Sequence, residues 1–149
     1  ETCPAALPIM ARLGHLIARH GGAALVIDYG DWHSRGGTFQ ALQDHRFTDP
    51  LAAPGEADLT AHVDFEALAQ AAAPARSSRM IPQGDLLRRL GIDARAARLA
   101  QSLTAVALQS HRAAHHRLTD PQEMGSLFKA LAIHPPHLPP PPGFDPQDA

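Results

Sequence analysis

Apolar and polar positions divide the chain into a short series of elements. Between Pro4 and His20, Ile9, Leu13, Leu16 and Ile17 recur at helical spacing, and Ala6 and Met10 widen the stripe. Gly21-Gly22 then supplies the left-handed residue that stops a helix. The run that follows, Ala23 to Ile27, is apolar without alternation and ends abruptly in Asp28-Tyr29-Gly30. A strand with no polar position of its own reads as a central strand covered on both faces. In open α/β sheets the chemistry collects beyond the carboxyl ends of such strands, which places Asp28, Tyr29 and the next loop where function is expected.

Downstream the pattern is more broken. Thr38 to Leu42 reads as a short strand, and His45 to Asp58 as a loop with Asp49-Pro50 and Pro54-Gly55 as turn dipeptides. Asp64 is placed to cap a helix running from Phe65 to about Ala73, with Glu66 in its first turn. Arg76 to Pro82 reads as a strand and Gln83 to Leu90 as a helix stopped by Gly91. From Asp93, the positions Ala96, Leu99, Leu103 and Val106 predict one long helix. Asp120-Pro121-Gln122-Glu123 opens a short helix that Gly125 ends, and Leu127 to Ile133 is a last apolar strand. Residues 1–133 thus form one α/β unit. Residues 134–149 are proline-rich and predict an extended, disordered tail without a core of its own.

Composition narrows the function classes. The 149 residues are 44% hydrophobic and 19% charged, enough for one globular domain. A net charge of −2 offers no global field for nucleic acid or an anionic membrane. No apolar run approaches the roughly 20 residues that span a bilayer. The single cysteine, Cys3, cannot form an internal disulfide, which fits a reducing compartment and leads to the expectation of a cytoplasmic protein.

An ordered series of short blocks carries a family resemblance. Val26-Ile27-Asp28-Tyr29-Gly30, Gly37-Thr38, His45, Asp49-Pro50-Leu51, Pro54-Gly55 and Asp58-Leu59-Thr60-Ala61-His62-Val63-Asp64-Phe65 resemble the MidA-type class I methyltransferases, relatives of a mitochondrial complex I assembly factor. Gln83-Gly84, Leu90-Gly91-Ile92, Arg117-Leu118, Met124-Gly125 and Phe128-Lys129 continue the series in the family's order. The resemblance implies the carboxyl-terminal half of a Rossmann-like methyltransferase sheet, with a helical insertion between its last two strands. It implies S-adenosyl-L-methionine as cofactor, a protein arginine as acceptor and a respiratory complex I subunit as the protein substrate. The family's glycine-rich cofactor loop has no counterpart here, so no cofactor-binding residue is expected in this chain. A half-sheet would leave Leu25 and Ile27 uncovered, and a homodimer is one way of covering them.

On this reading Asp28 and His45 are the candidate catalytic residues, and Tyr29, His62, Asp64 and Trp32 line the acceptor side. A guanidinium needs carboxylates that fix its plane through paired N–H···O bonds, for which Asp28 is the best-placed acid. Tyr29 can stack on that guanidinium or serve as a core aromatic. Histidine takes up a proton near neutral pH, which suits His45 or His62, and His62 shares a face with Asp64 if Val63 is extended. Trp32 reads as a lid, a partner contact or a core residue. His111, His115 and His116 invite a metal reading, but no cysteine or acid completes a ligand set. A rival reading from a different class is an assembly-factor module that holds its client without catalysis.

Overall fold

The structure, a computed structural model, describes residues 3–144. Helix α1 (Ala6–His20) ends at Gly21, whose φ is 80° and whose N–H reaches the Ile17 carbonyl at 2.9 Å. The helix buries Met10, Gly14 and Ile17, while Ile9 and Leu16 remain outside. Gly14 is required there: a Cβ would lie 1.8 Å from the carbonyl oxygen of Ala72, at the end of helix α2 (Phe65–Ala71). The two helix backbones touch.

The main sheet is built on strand β1 (Ala24–Asp31) and the last strand, β8 (Phe128–His134). They pair antiparallel from Ala24↔Ile133 to Tyr29↔Phe128. Two short strands, β6 (Arg76–Ser77) and β7 (Ile81–Pro82), pair antiparallel with the other side of β8. Hence β1 and the β6–β7 pair run the same way with β8 reversed between them. Four helices separate β7 from β8: α3 (Gln83–Arg89), α4 (Ile92–Ala100), α5 (Ala105–Thr119) and α6 (Met124–Leu127). A reversed strand returning after a helical insertion is the ending expected for a class I methyltransferase sheet.

Alternation along β8 sorts the core into two layers. Leu131 and Ile133 pack with α1, α2, Ala24 and Val26, whereas Ala130 and Ala132 pack with Ile81, Leu86 and Phe144. The second layer stops short of β1, where Leu25 and Ile27 are 52% and 42% exposed. The strand is therefore covered on one face, and the expectation of cover on both is corrected. The uncovered pair is the one expected of a half-sheet.

Several boundaries also differ. The single long helix expected from Asp93 is broken at Gln101–Thr104 into α4 and α5, and Val106 is exposed. The loop expected over 45–58 contains strand β3 (Arg46–Thr48), which with β2 (Gln40–Gln43) and β4 (Asp58–Thr60) forms a small separate sheet in the order β3-β2-β4. Gly125 does not end its helix but lies within α6, where a Cβ would fall 2.3 Å from the Thr119 carbonyl oxygen.

The tail is the largest correction. His134 is the buried last residue of β8, and Phe144 packs into the second core layer. The Arg89 guanidinium donates to the Gly143 carbonyl at 3.3 Å. Residues 134–144 are therefore a strap across α3, since one aromatic and one cation give the proline segment something to bury. Residues 145–149 lie outside the described part of the chain.

Candidate functional site

The site is organised by a close approach between β1 and β5 (Val63–Asp64). These strands pair in parallel at Gly30↔Val63 and Asp31↔Asp64. Gly30 permits it, because a Cβ there would stand 2.2 Å from the Val63 carbonyl oxygen. The loop after β1 then fixes the residue before β5. The His62 N–H donates to Thr38 Oγ1 at 3.0 Å, and Ser34 Oγ reaches the His62 carbonyl at 3.5 Å. Its backbone held at both ends, His62 places its ring edge-on to Tyr29, with centroids 6.0 Å apart. Tyr29 is itself set edge-on against Phe128 across the sheet, at 5.3 Å.

Beside this aromatic chain lies a cleft of about 620 Å³ between the start of α1 and the β5–α2 junction. Its walls include Leu7, Ala61, Ala67 and Leu68, with His62 and Asp64 among them as the two titratable groups besides the Cys3 thiol. An apolar cleft of this size with a few convergent polar groups is the usual form of a small-ligand site. Asp64 has one oxygen committed, since Oδ1 accepts from the Ala67 amide at 3.0 Å as the N-cap of α2. Among the described residues its other oxygen has no hydrogen-bond donor. Replacing Asp64 with Ala is expected to cost about 1 kcal/mol of stability through the lost cap, measurable as a lower urea midpoint.

Not every candidate converges here. Asp28 and Tyr29 are consecutive in β1, so their side chains leave the sheet on opposite faces. Asp28 stands across from Lys129, and its Oδ1 accepts from the Tyr29 amide at 2.8 Å. It steadies Tyr29's backbone rather than sharing its face, which corrects the expectation of one cluster. His45 is exposed at the tip of the β2–β3 hairpin, where it and Asp44 have φ of 62° and 50°. That tip is no wall of the cleft, and the expected catalytic grouping of His45 with Asp28 is not formed. Trp32 packs against the core beneath α1 and α2, and its carbonyl accepts from the Glu66 amide at 3.0 Å. It closes the core and is not a loop-tip anchor.

The histidines of the insertion are structural. His111 Nε2 meets the Ala96 carbonyl at 3.0 Å, and His115 Nε2 meets Asp93 Oδ1 at 2.9 Å, tying α5 to α4. Among the described residues no group of three His, Cys, Asp or Glu side chains comes together as a metal set. No described helix is long and apolar enough to cross a membrane. Sequence reasoning missed Phe128, Ser34 and the Cys3–Leu7 wall of the cleft. Only Phe128 had a signal, as an aromatic opening the last strand.

A family model described as "Putative S-adenosyl-L-methionine-dependent methyltransferase" matches residues 1–81, more than half of the chain. The chain belongs to this methyltransferase family. The human protein named "Protein arginine methyltransferase NDUFAF7, mitochondrial" is 39% identical over 137 residues, which cover 91% of this chain and 31% of the human protein. The Drosophila melanogaster homolog is 37% identical over 126 residues, covering 83% of this chain and 29% of its own length. A crystal structure of a COG1565 superfamily member from Burkholderia thailandensis bound to S-adenosyl-homocysteine aligns with a TM-score of 0.76 and 29% identity, over 97% of this chain and 37% of that one. A second Burkholderia thailandensis structure of that superfamily reaches a TM-score of 0.78 at 31% identity, over 97% of this chain and 38% of that one.

The fold is thus that of a Rossmann-like class I methyltransferase, and the chain matches a carboxyl-terminal part of it. It spans about a third of the length of the curated relatives it matches. Those relatives, from frog, fly and human, are named mitochondrial, which overturns the expectation of a cytoplasmic protein. One unpaired cysteine bears on disulfides and cannot tell one reducing compartment from another.

S-adenosylmethionine is the methyl donor of this family. The described residues do not fit a complete cradle for it. Such a cradle needs a glycine-rich turn that leads from a strand into a helix and lets backbone amides approach the ligand. Gly21-Gly22 precede β1, Gly36-Gly37 lead into β2, and Gly30 is filled by the Val63 backbone.

Proposed function

We propose that this chain supplies the acceptor side of an S-adenosylmethionine-dependent protein arginine methyltransferase, with the donor held by a further part of the polypeptide. The observation that carries this reading is the cleft with His62 and Asp64 at its polar end. An arginine side chain has an apolar stem and a planar charged head. The stem suits the walls formed by Leu7, Ala67 and Leu68. The head suits Asp64, whose uncommitted oxygen can accept a charge-assisted N–H bond. His62 is the base within reach of the same place, and Tyr29 holds its ring. Methylation at nitrogen removes one proton from the guanidinium, and His62 would receive it at a ring nitrogen. The finer identity of the acceptor, a respiratory complex I subunit, follows the assembly-factor resemblance, and a homodimer would cover Leu25 and Ile27.

Steady-state methylation by the whole protein, read as methylarginine by mass spectrometry, tests the assignment. Asp64→Asn keeps an oxygen for the Ala67 amide but loses the charge. It is expected to lower kcat/KM by about tenfold to a hundredfold, the value of a charged hydrogen bond. His62→Gln should act mainly on kcat, and Asp28→Asn, whose carboxylate accepts from the Tyr29 amide and lines no part of the cleft, should change little. Undiminished turnover in Asp64→Asn would remove the cleft from the mechanism. Capture of a client protein without any methylation would favour the non-catalytic assembly module.

A further inference from the structure

No residue of the small sheet lines the cleft, yet the sheet exposes what a partner would use. Its order is β3-β2-β4, so among the described strands the outer edges of β3 and β4 are unpaired. Phe47 and Leu59 are 75% and 55% exposed on it. An unpaired edge beside exposed apolar side chains is a template for another strand, and proteins use it to take up extended peptides. The two edges differ in charge. Arg46 opens β3, whereas Asp58 opens β4 with Glu56 two residues before it, both exposed.

Charge across the chain singles out one kind of occupant. From Asp28 to Glu66 acids outnumber arginines eight to two, while the rest of the chain carries seven acids and eleven bases. The segment that holds the small sheet and the cleft's polar end is therefore acidic on an otherwise basic chain. Continuity decides where such an occupant would lead. Strand β4 ends at Thr60, and the next residues, Ala61 and His62, are walls of the cleft. Three residues of extended chain cover about 10 Å. A peptide lying along β4 therefore has its neighbouring residues at the cleft mouth.

We infer that the outer edge of β4 docks a basic, extended segment of the protein acceptor, which adds as a fourth strand and presents its arginine to His62 and Asp64. The inference rests on the acceptor-side reading of the cleft and deepens it: the methylated arginine lies in a segment rich in further Lys or Arg. Main-chain bonds to β4 supply affinity, Leu59 supplies an apolar contact, and Glu56 and Asp58 select for positive flanks.

The test uses the whole protein and two short fluorescent peptides, each with one central arginine, flanked by lysines in one and by glutamates in the other. Fluorescence anisotropy should show the lysine-flanked peptide binding more tightly. The double variant Glu56→Lys with Asp58→Lys should weaken it about tenfold, the sum of several modest surface charge terms. Affinity for S-adenosyl-homocysteine should not move, which shows that the variant is folded. Hydrogen exchange on peptide addition should slow at residues 58–60. Equal binding of the two peptides, or unchanged binding by the double variant, would overturn the inference, as would protection confined to other strands. Binding needs no turnover, so edge docking with no methylation would instead count against the methyltransferase reading of the cleft.

Discussion

Gly30→Ala is expected to destabilise the protein by about 3 kcal/mol, at the upper end of what overpacking costs. The added Cβ would lie 2.2 Å from the Val63 carbonyl oxygen and 2.8 Å from the Val63 nitrogen. Both are backbone atoms, so no side chain can swing aside. Either β5 separates from β1 or β1 bends, and the parallel pairing exists only at Gly30 and Asp31. Two pairs of residues hold too little free energy to resist the displacement. The consequence should reach the site, because His62 directly precedes β5 and its ring is packed on Tyr29. Methyl transfer by the variant should fall with the loss of that packing, and exchange at residues 62–64 should rise. A variant that keeps both its urea midpoint and its exchange pattern would show that β1 and β5 are not held by this contact.

The elements read correctly from sequence are those whose signal is local. Helix α1 announced itself by spacing and by Gly21, and the Asp64 cap by its position before Phe65, and both form as expected. The errors share a physical cause. Ala96, Leu99, Leu103 and Val106 keep helical spacing through Gln101–Thr104, but Ser102 and Thr104 compete for backbone bonds and favour helix ends. The β2–β3 hairpin turns on Asp44 and His45 with left-handed backbones, without the glycine that usually signals such a turn. Proline content predicted an extended tail, whereas the described segment turns at Pro135–Leu138 and Pro141–Phe144 and is fixed by Phe144, a single aromatic to which that reading gave no weight.

The site was legible in part for the same reason. Tyr29 was placed by the end of an apolar run, and His62 with Asp64 by their spacing around Val63. What brings Tyr29 to His62 is the β1–β5 pairing between residues more than thirty apart, which no local pattern encodes. Asp28 illustrates the opposite limit. Its neighbour in sequence is Tyr29, but alternation in a strand sends the two to different faces. Adjacency along β1 therefore misassigned Asp28 to the cluster that Tyr29 joins.

Phe144→Ala is expected to cost about 3 kcal/mol, the low end for truncating a buried aromatic. The side chain is 6% exposed and closes the layer formed by Ile81, Leu86, Ala130 and Ala132. The low end applies because residues 136–139 of the strap are exposed, so the segment can lift away and let water in instead of leaving a dry cavity. The Arg89 bond to the Gly143 carbonyl is exposed, and Gly143 itself has φ 92° and stands against Leu86 and Leu90. Lifting the strap would also uncover one face of β8, the strand that joins β1 to β6 and β7. The variant should therefore show a lower urea midpoint, a larger unfolding amplitude at low denaturant and faster exchange along residues 128–134. If the midpoint holds while exchange along β8 stays slow, the strap is an ornament on a core that seals itself.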